Sequence, residues 1–264
     1  MIMKTIISIL VIGILAFGMT SSSTISYPKA KVKSYTSGEK LTYRVSYGII
    51  DAGEAVLTVK ETAKRGADGR RLYHMVGEGK TRGAFNWFYK VHDVYETYMD
   101  KEGAFPWHFV RDVNEGGYTI NQEYAFHQDK QKVVDQDGKE YKVPLGVKDM
   151  LSSFYFARTL DFSKMKRGQI IEFKMFMDGE IWPLKIKYLG KENINIRKGT
   201  FKALKFVPVV QEGRYFTSEE DVQFWVTDDN NHIPILVKVK IPVGTVRLHL
   251  VDWEGLRGPI SKID

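Results

Sequence analysis

The sequence predicts an all-β protein whose strands are mostly antiparallel. Three observations support this: apolar residues recur with a period of two, turn-forming residues separate the runs, and one segment alone has helical spacing. Flat open sheets of more than about ten strands are unusual. We therefore expect a large curved sheet, a partial barrel or a sandwich, covered by one helix near residues 148–160.

The alternation is clearest near the start of the β-rich region. Residues 41–49 alternate large apolar side chains with polar or small ones, as a half-buried strand does. Residues 51–53 are predicted to form the hairpin connection to a second run at residues 55–59. The same pattern predicts further strands at residues 71–76, 90–99, 107–113, 118–127, 131–135, 170–177, 181–188, 194–197, 201–210, 222–226, 235–241 and 246–253.

Two segments depart from this period, and the shorter one, residues 83–89, is predicted to form a single turn or a tight loop that carries aromatic residues. The spacing i, i+3, i+4, i+7 is met by four apolar residues, Val147, Met150, Leu151 and Phe154. This spacing predicts the helix over residues 148–160, with Asp149 as its N-terminal cap and Arg158 paired with a carboxylate of the sheet. If that pair is buried, we expect Arg158→Ala to cost about 1–3 kcal/mol of stability.

The N-terminus has the order of a secretory signal. Lys4 precedes twelve uncharged residues at 6–17, and small residues follow up to residue 23. The apolar run is shorter than the roughly 20 residues that cross a bilayer, so we predict a signal peptide at residues 1–22, with an uncleaved anchor as the alternative. The remaining chain is then one β-rich domain over residues 38–256, or two β halves around the helix, with no transmembrane span.

Composition excludes several classes of function. The chain has no cysteine, which excludes disulfides, thiolate metal sites, a cysteine nucleophile and a lipoprotein anchor. The formal charge of +7 comes from single Lys and Arg residues scattered among apolar ones, which is typical of solvated strand faces. We expect no nucleic-acid partner. The six histidines lack the spacing of metal or catalytic motifs, so no cofactor, metal ligand or catalytic residue is predicted.

Aromatic residues are concentrated in one quarter of the chain, between residues 85 and 109. They fill the core of a large sheet, or they form a concave aromatic face for an apolar or glycan ligand, with a few polar anchors. The candidate ligand-binding residues are Tyr47, Trp87, Tyr89, Trp107, Arg111, Tyr155 and Arg158.

Acidic residues offer a second kind of site. Five of them lie on adjacent predicted strands, namely Glu96, Asp100, Asp112, Glu115 and Glu123. A glycosidase needs two carboxyl groups at a defined separation, which sequence alone does not give.

Several segments together resemble a known bacterial family. They are Gly38-Glu-Lys-Leu-Thr-Tyr-Arg-Val-Ser-Tyr-Gly, Asp51-Ala-Gly-Glu-Ala, Val91-His-Asp-Val-Tyr-Glu-Thr-Tyr, Arg111-Asp-Val-Asn-Glu-Gly-Gly-Tyr, Asp149-Met-Leu-Ser-Ser-Phe-Tyr-Phe-Ala-Arg and Trp225-Val-Thr-Asp-Asp-Asn-Asn-His-Ile-Pro. In this order they resemble the exported family known as domain of unknown function 3108. The resemblance implies a β-rich fold and the envelope of a Gram-negative bacterium, often a Bacteroides-like one. It brings no established activity.

These observations lead to three hypotheses. The first is a periplasmic, non-enzymatic protein that binds a hydrophobic or lipid-like ligand, or an envelope protein partner. The second is a hydrolase of envelope glycans that uses paired carboxylates. The third is a structural protein without a small-molecule site. An apolar cavity beneath the helix would favour the first, and two acids in a cleft would favour the second.

Overall fold

The computed structural model describes residues 25–209, 221–242 and 244–263. The predicted signal peptide lies outside these residues, as does position 210 at the end of one predicted strand. Between residues 25 and 142 the chain forms eight strands: β1 (Lys40–Tyr47), β2 (Ile50–Arg65), β3 (Arg71–Thr81), β4 (His92–Asp100), β5 (Pro106–Glu115), β6 (Tyr118–His127), β7 (Lys132–Asp135) and β8 (Glu140–Lys142). A four-residue helix, α1 (Phe85–Phe88), lies between β3 and β4.

The second half contains the longer helix and six strands. Helix α2 spans Met150–Arg158. The strands that follow it are β9 (Ile170–Met177), β10 (Glu180–Ile196), β11 (Gly199–Pro208), β12 (Val222–Thr227), β13 (Pro234–Ile241) and β14 (Gly244–Glu254). All fourteen pair antiparallel in one curved sheet, which confirms the predicted fold class.

The strand order explains how the sheet curves. Each strand pairs with its neighbours in the chain, except that β1 pairs with β14, so β8 and β9 form the two edges. In the described part of the chain these edges do not pair with each other. The segment before α2 bridges them: the Val143 N–H donates to Gln131 O near β7, and the Phe176 N–H of β9 donates to Lys148 O at 2.7 Å.

Three details differ from the sequence prediction. Residues 51–53 belong to β2, and the hairpin turns earlier, at Gly48 and Ile49, because Gly48 takes φ +58°. The runs predicted at 181–188 and 194–197 form the single strand β10, in which a bulge at Gly190 accommodates the irregular sequence between them. Strand β8 was not predicted, because three mostly polar residues carry no alternation.

Helix α2 begins with the cap that the sequence predicts. The Ser152 N–H donates to Asp149 Oδ1 at 2.7 Å, and the Asp149 N–H donates to Ser152 Oγ at 2.9 Å. The Thr97 hydroxyl of β4 donates to Asp149 Oδ2 at 2.6 Å, so the same carboxyl also joins the helix to the sheet. The helix is shorter than predicted and ends at Arg158.

The buried cap should make stability depend on pH. Burial raises the pKa of Asp149 to about 6, from an ordinary 3.8. A raised pKa means that the folded protein binds the proton more tightly. The stabilisation that comes from protonated Asp149 is therefore complete below about pH 4, and it is lost as pH rises through about 6. Lys148 beside it stays charged over this range, because burial lowers its pKa only to about 8.

The variant Asp149→Asn tests this dependence, because Asn is an equally good N-cap and does not ionise. We expect the variant to gain about 3 kcal/mol relative to the wild type between pH 4 and pH 7, at about 1.4 kcal/mol per unit of pKa shift. Urea unfolding at a series of pH values measures the difference. Parallel profiles for the two proteins would contradict the buried, proton-binding cap.

Candidate functional site

The two sides of helix α2 have different surroundings. One side packs tightly against the concave face of β2, β3 and β4, where Leu151 and Tyr155 meet Val59, Met75 and Met99. The other side faces β9–β13 across a cavity of about 480 Å³. Ligand pockets in proteins typically have about 300–1,000 Å³. The sheet therefore encloses a packed core on one side of the helix and a pocket on the other.

The pocket wall is mainly hydrocarbon. Its lining comes from α2, the segment after it, and five consecutive strands of the sheet: Met150, Ser153, Phe154, Ala157, Arg158, Phe162, Phe173, Met175, Leu184, Ile186, Phe206, Phe224, Val226, His232, Pro234 and Val237. No Asp or Glu is among these described lining residues. A long apolar molecule could be buried here with few hydrogen bonds.

Two of the lining residues carry polar groups that suit a neutral ligand. The Ser153 hydroxyl is buried and has no hydrogen-bond partner within the described chain. His232 Nδ1 lies 2.8 Å from the Arg158 carbonyl oxygen, which only accepts, so Nδ1 donates and Nε2 is left as an acceptor. Burial lowers the pKa of His232, so its ring is neutral at pH 7.

Arg158 holds the end of α2 through a buried ion pair. Its Nη1 and Nη2 donate to the two carboxylate oxygens of Glu39 at 2.6 and 2.8 Å. Nη2 also donates to Ser34 O at 2.9 Å, and Nε donates to Asn231 O at 3.0 Å. Burial lowers the pKa of Arg158, but the Glu39 carboxylate raises it by more, so the guanidinium stays charged. Arg158 pairs with a carboxylate as predicted, but Glu39 lies one residue before β1 and so outside the sheet.

The structure separates the predicted ligand-binding residues. Among them, Arg158 lines the pocket beside α2, and Trp107 lines a separate cavity of the same volume. Tyr47 and Tyr89 line a smaller cavity of about 260 Å³ beside α1, whereas Trp87 projects into solvent. These residues therefore do not form one aromatic face, because they lie on separate strands, on or beside α1, and on α2.

The other three candidates have structural partners. Trp107 Nε1 donates to Asp100 at 3.1 Å. Arg111 is buried and pairs with Asp178 of the β9–β10 turn at 2.6 Å, which draws that turn towards β5. Tyr155 is fully buried, with its ring 5.1 Å from that of Tyr35.

Several of the acids proposed for hydrolysis likewise contact other polar or charged side chains. Glu96 contacts His74 at 2.5 Å, and Glu123 contacts His108 at 2.7 Å. Asp100 binds Arg70. Glu115 lies beside a second acid, Asp93, and burial together with the Asp93 charge raises the pKa of Glu115. Within the described residues, no three His, Asp or Glu side chains are grouped in a way that could hold a metal ion.

Sequence reasoning missed most of the pocket wall. Phe173, Leu184, Phe206 and Phe224 occupy apolar positions of alternating strands, and alternation does mark them as inward-facing. It does not distinguish an inward side chain that lines a cavity from one that fills a core.

In the described part of the chain, no helix is both long and apolar enough to cross a membrane.

The fold and the pocket together define a class: antiparallel, barrel-like β proteins with an apolar cavity under one helix. A family model described as a protein of unknown function (DUF3108) matches residues 42–251, and the chain belongs to this family. The predicted family membership is thus confirmed. No curated protein matches the sequence.

One solved structure shares the fold, and two others are less similar. A β-barrel-like protein of domain of unknown function DUF1849 from Brucella abortus is 11% identical, with a TM-score of 0.57 over 84% of this chain and 98% of its own. A hypothetical protein from Chlamydia trachomatis is 10% identical, with a TM-score of 0.36 over 88% and 93%. A DUF1089 family protein from Pseudomonas aeruginosa is 12% identical, with a TM-score of 0.29 over 80% and 95%. The Brucella likeness shows a shared fold and no more.

Removing one partner of the Glu39–Arg158 pair should lower the free energy of unfolding substantially. Arg158→Ala leaves the Glu39 carboxylate buried without its partner, so we expect a loss of about 3–5 kcal/mol, the upper end of the sequence-based expectation or more. The double variant Glu39→Gln with Arg158→Met removes both charges and should lose less than Arg158→Ala alone. Urea unfolding of the variants gives these values. A loss below about 1 kcal/mol for Arg158→Ala would contradict a buried pair.

Proposed function

We propose that this protein binds a hydrophobic or lipid-like ligand in the pocket between α2 and β9–β13. The observation that carries the proposal is the contrast between the two sides of the helix. Protein interiors are normally close-packed, because a void deprives its lining of dispersion contacts. Here the buried side chains on one side of the helix form a hydrophobic cluster, and the other side leaves about 480 Å³ lined mainly by apolar side chains.

The lining also favours one kind of ligand. The walls offer aromatic and aliphatic surface, and the polar groups nearby are the Ser153 hydroxyl and the neutral His232 ring. The charge of Arg158 is already neutralised by Glu39. An acyl chain with an uncharged, hydrogen-bonding head group fits this chemistry better than a strongly anionic or polar molecule.

Setting and mechanism form part of the same proposal. We place the protein in the periplasm of a Gram-negative bacterium, on the strength of its N-terminal sequence, and we assign it no chemical step. The described lining of the pocket holds no acid that could act on a glycan, which supports binding over hydrolysis.

Filling the pocket from the helix tests the proposal. Ala157 lines the cavity and has a small side chain, so Ala157→Phe should occupy the space that a ligand would take. We expect wild-type protein to bind the fluorescent fatty acid cis-parinaric acid, and Ala157→Phe to weaken the affinity by about tenfold or more, since a blocked apolar contact of this size is worth at least that factor.

The matched control is Ala63→Phe, which makes the same change at an exposed position of β2 away from the pocket. It should bind the probe as the wild type does. Fluorescence titration of the three proteins, with thermal melting to verify folding, gives the result. Equal affinity in Ala157→Phe, or no binding by folded wild type, would contradict a ligand pocket.

A further inference from the structure

Several turns meet at one end of the sheet. In an antiparallel meander alternate connections emerge at the same end, so the turns between β1 and β2, β3 and β4, β5 and β6, and β13 and β14 lie together. Backbone hydrogen bonds join them: Arg82 N–H donates to Ala52 O at 3.0 Å, Gly116 N–H to Lys90 O at 2.8 Å, and Gly48 N–H to Thr245 O at 3.1 Å.

This end carries an unusual set of exposed apolar side chains. We call the set the aromatic tip; its members are Ile49, Ile50, Trp87, Phe88, Tyr89 and Tyr118. Ile49 is 103% exposed, Trp87 87% and Phe88 80%. Ten large apolar side chains are exposed in the described part of the chain. These six and Ile181, at the start of β10, lie at this end, so the exposure is local rather than scattered.

The tip is held by its own contacts. In α1, the Phe85 ring packs against Tyr47 with centroids 6.1 Å apart, and the Thr81 hydroxyl donates to the Asn86 side chain at 3.1 Å. These contacts leave Trp87 and Phe88 on the outer side, with their rings 5.5 Å apart. The fold therefore anchors the helix while presenting two aromatic rings to the outside.

The charge around the tip indicates what could cover it. In the described part of the chain Lys80 pairs with Glu78 and Arg82 with Glu54, whereas the exposed Lys90 has no ion pair. Trp and Tyr concentrate at the interface of lipid bilayers, and nearby Lys and Arg are attracted to anionic head groups. Small groups of side chains that project from three separate turns suit a fluid lipid surface better than the flat, packed core of a protein interface.

We propose that the aromatic tip inserts into the surface of a bilayer that contains anionic lipid. The end of the sheet that carries these turns then contacts the membrane. Trp87, Phe88 and Ile49 lie in the head-group region, and Lys90 lies against lipid phosphates. This inference does not depend on the ligand pocket.

Vesicle binding of the full chain tests the proposal. Wild type should co-sediment with vesicles of equimolar phosphatidylglycerol and phosphatidylethanolamine, less with phosphatidylcholine alone, and less at high salt. The double variant Trp87→Ser with Phe88→Ser should lower the partition coefficient by about tenfold or more, because it removes two large apolar side chains. Ala157→Phe should bind vesicles as the wild type does, which separates this test from that of the pocket.

Matched variants control for general effects. Ile49→Ser should weaken binding, whereas Ile170→Ser, at an exposed Ile at the opposite end of the sheet, should not. Lys90→Glu should weaken binding to the anionic vesicles more than Lys166→Glu, an exposed Lys beyond the opposite end. Folded wild type that binds neither vesicle, equal losses in Ile49→Ser and Ile170→Ser, or capture of a protein through the tip without vesicle binding would overturn the proposal.

Discussion

The buried ion pair between Glu39 and Arg158 determines where the helix lies inside the sheet. Glu39 precedes β1, which is a central strand of the sheet. Arg158 ends α2, which follows the edge strand β8 in the chain. The same guanidinium reaches Asn231 before β13 and Ser34 before β1. Buried charges must be paired with good geometry, so alternative positions of the helix end would leave a charge unpaired. We regard this constraint on geometry as more important than any net stability from the pair.

The position of the helix in turn creates the pocket. Asp149 fixes its first turn to Thr97 of β4, and Arg158 fixes its last turn, so α2 is held against the β2–β4 side of the sheet. Strands β9–β13 curve around the opposite side, and the bridge at Lys148 and the Arg111–Asp178 pair hold them in that curve. The inner volume is then larger than the side chains fill. The cavity thus follows from polar contacts at both ends of one helix.

The sequence predicted the periodic features of this molecule and missed those set by pairing. Period-two alternation identified nearly every strand, and Asp149 and Arg158 have the roles that their positions suggested. Ile49 was placed in a strand because it continues the alternation, yet Gly48 turns the chain one residue earlier. No local sequence pattern indicates that β1 pairs with β14. Without knowledge of that pairing, the sequence does not predict that Phe154, Phe206 and Phe224 line one cavity. The aromatic cluster was visible, but its division into core, small cavity and exposed tip depends on which side of each strand faces inward.

Pocket and tip together describe a protein that would take up an apolar molecule at a lipid surface. The pocket lies against β9–β13, and the tip lies at one end of the same sheet. Native mass spectrometry, with lipid extraction, of the full protein purified without detergent from cells that produce it is the most direct measurement. We expect a bound mass of lipid size that is released on collisional activation and recovered in the extract. Protein that carries no added mass and yields an extract without lipid would contradict it.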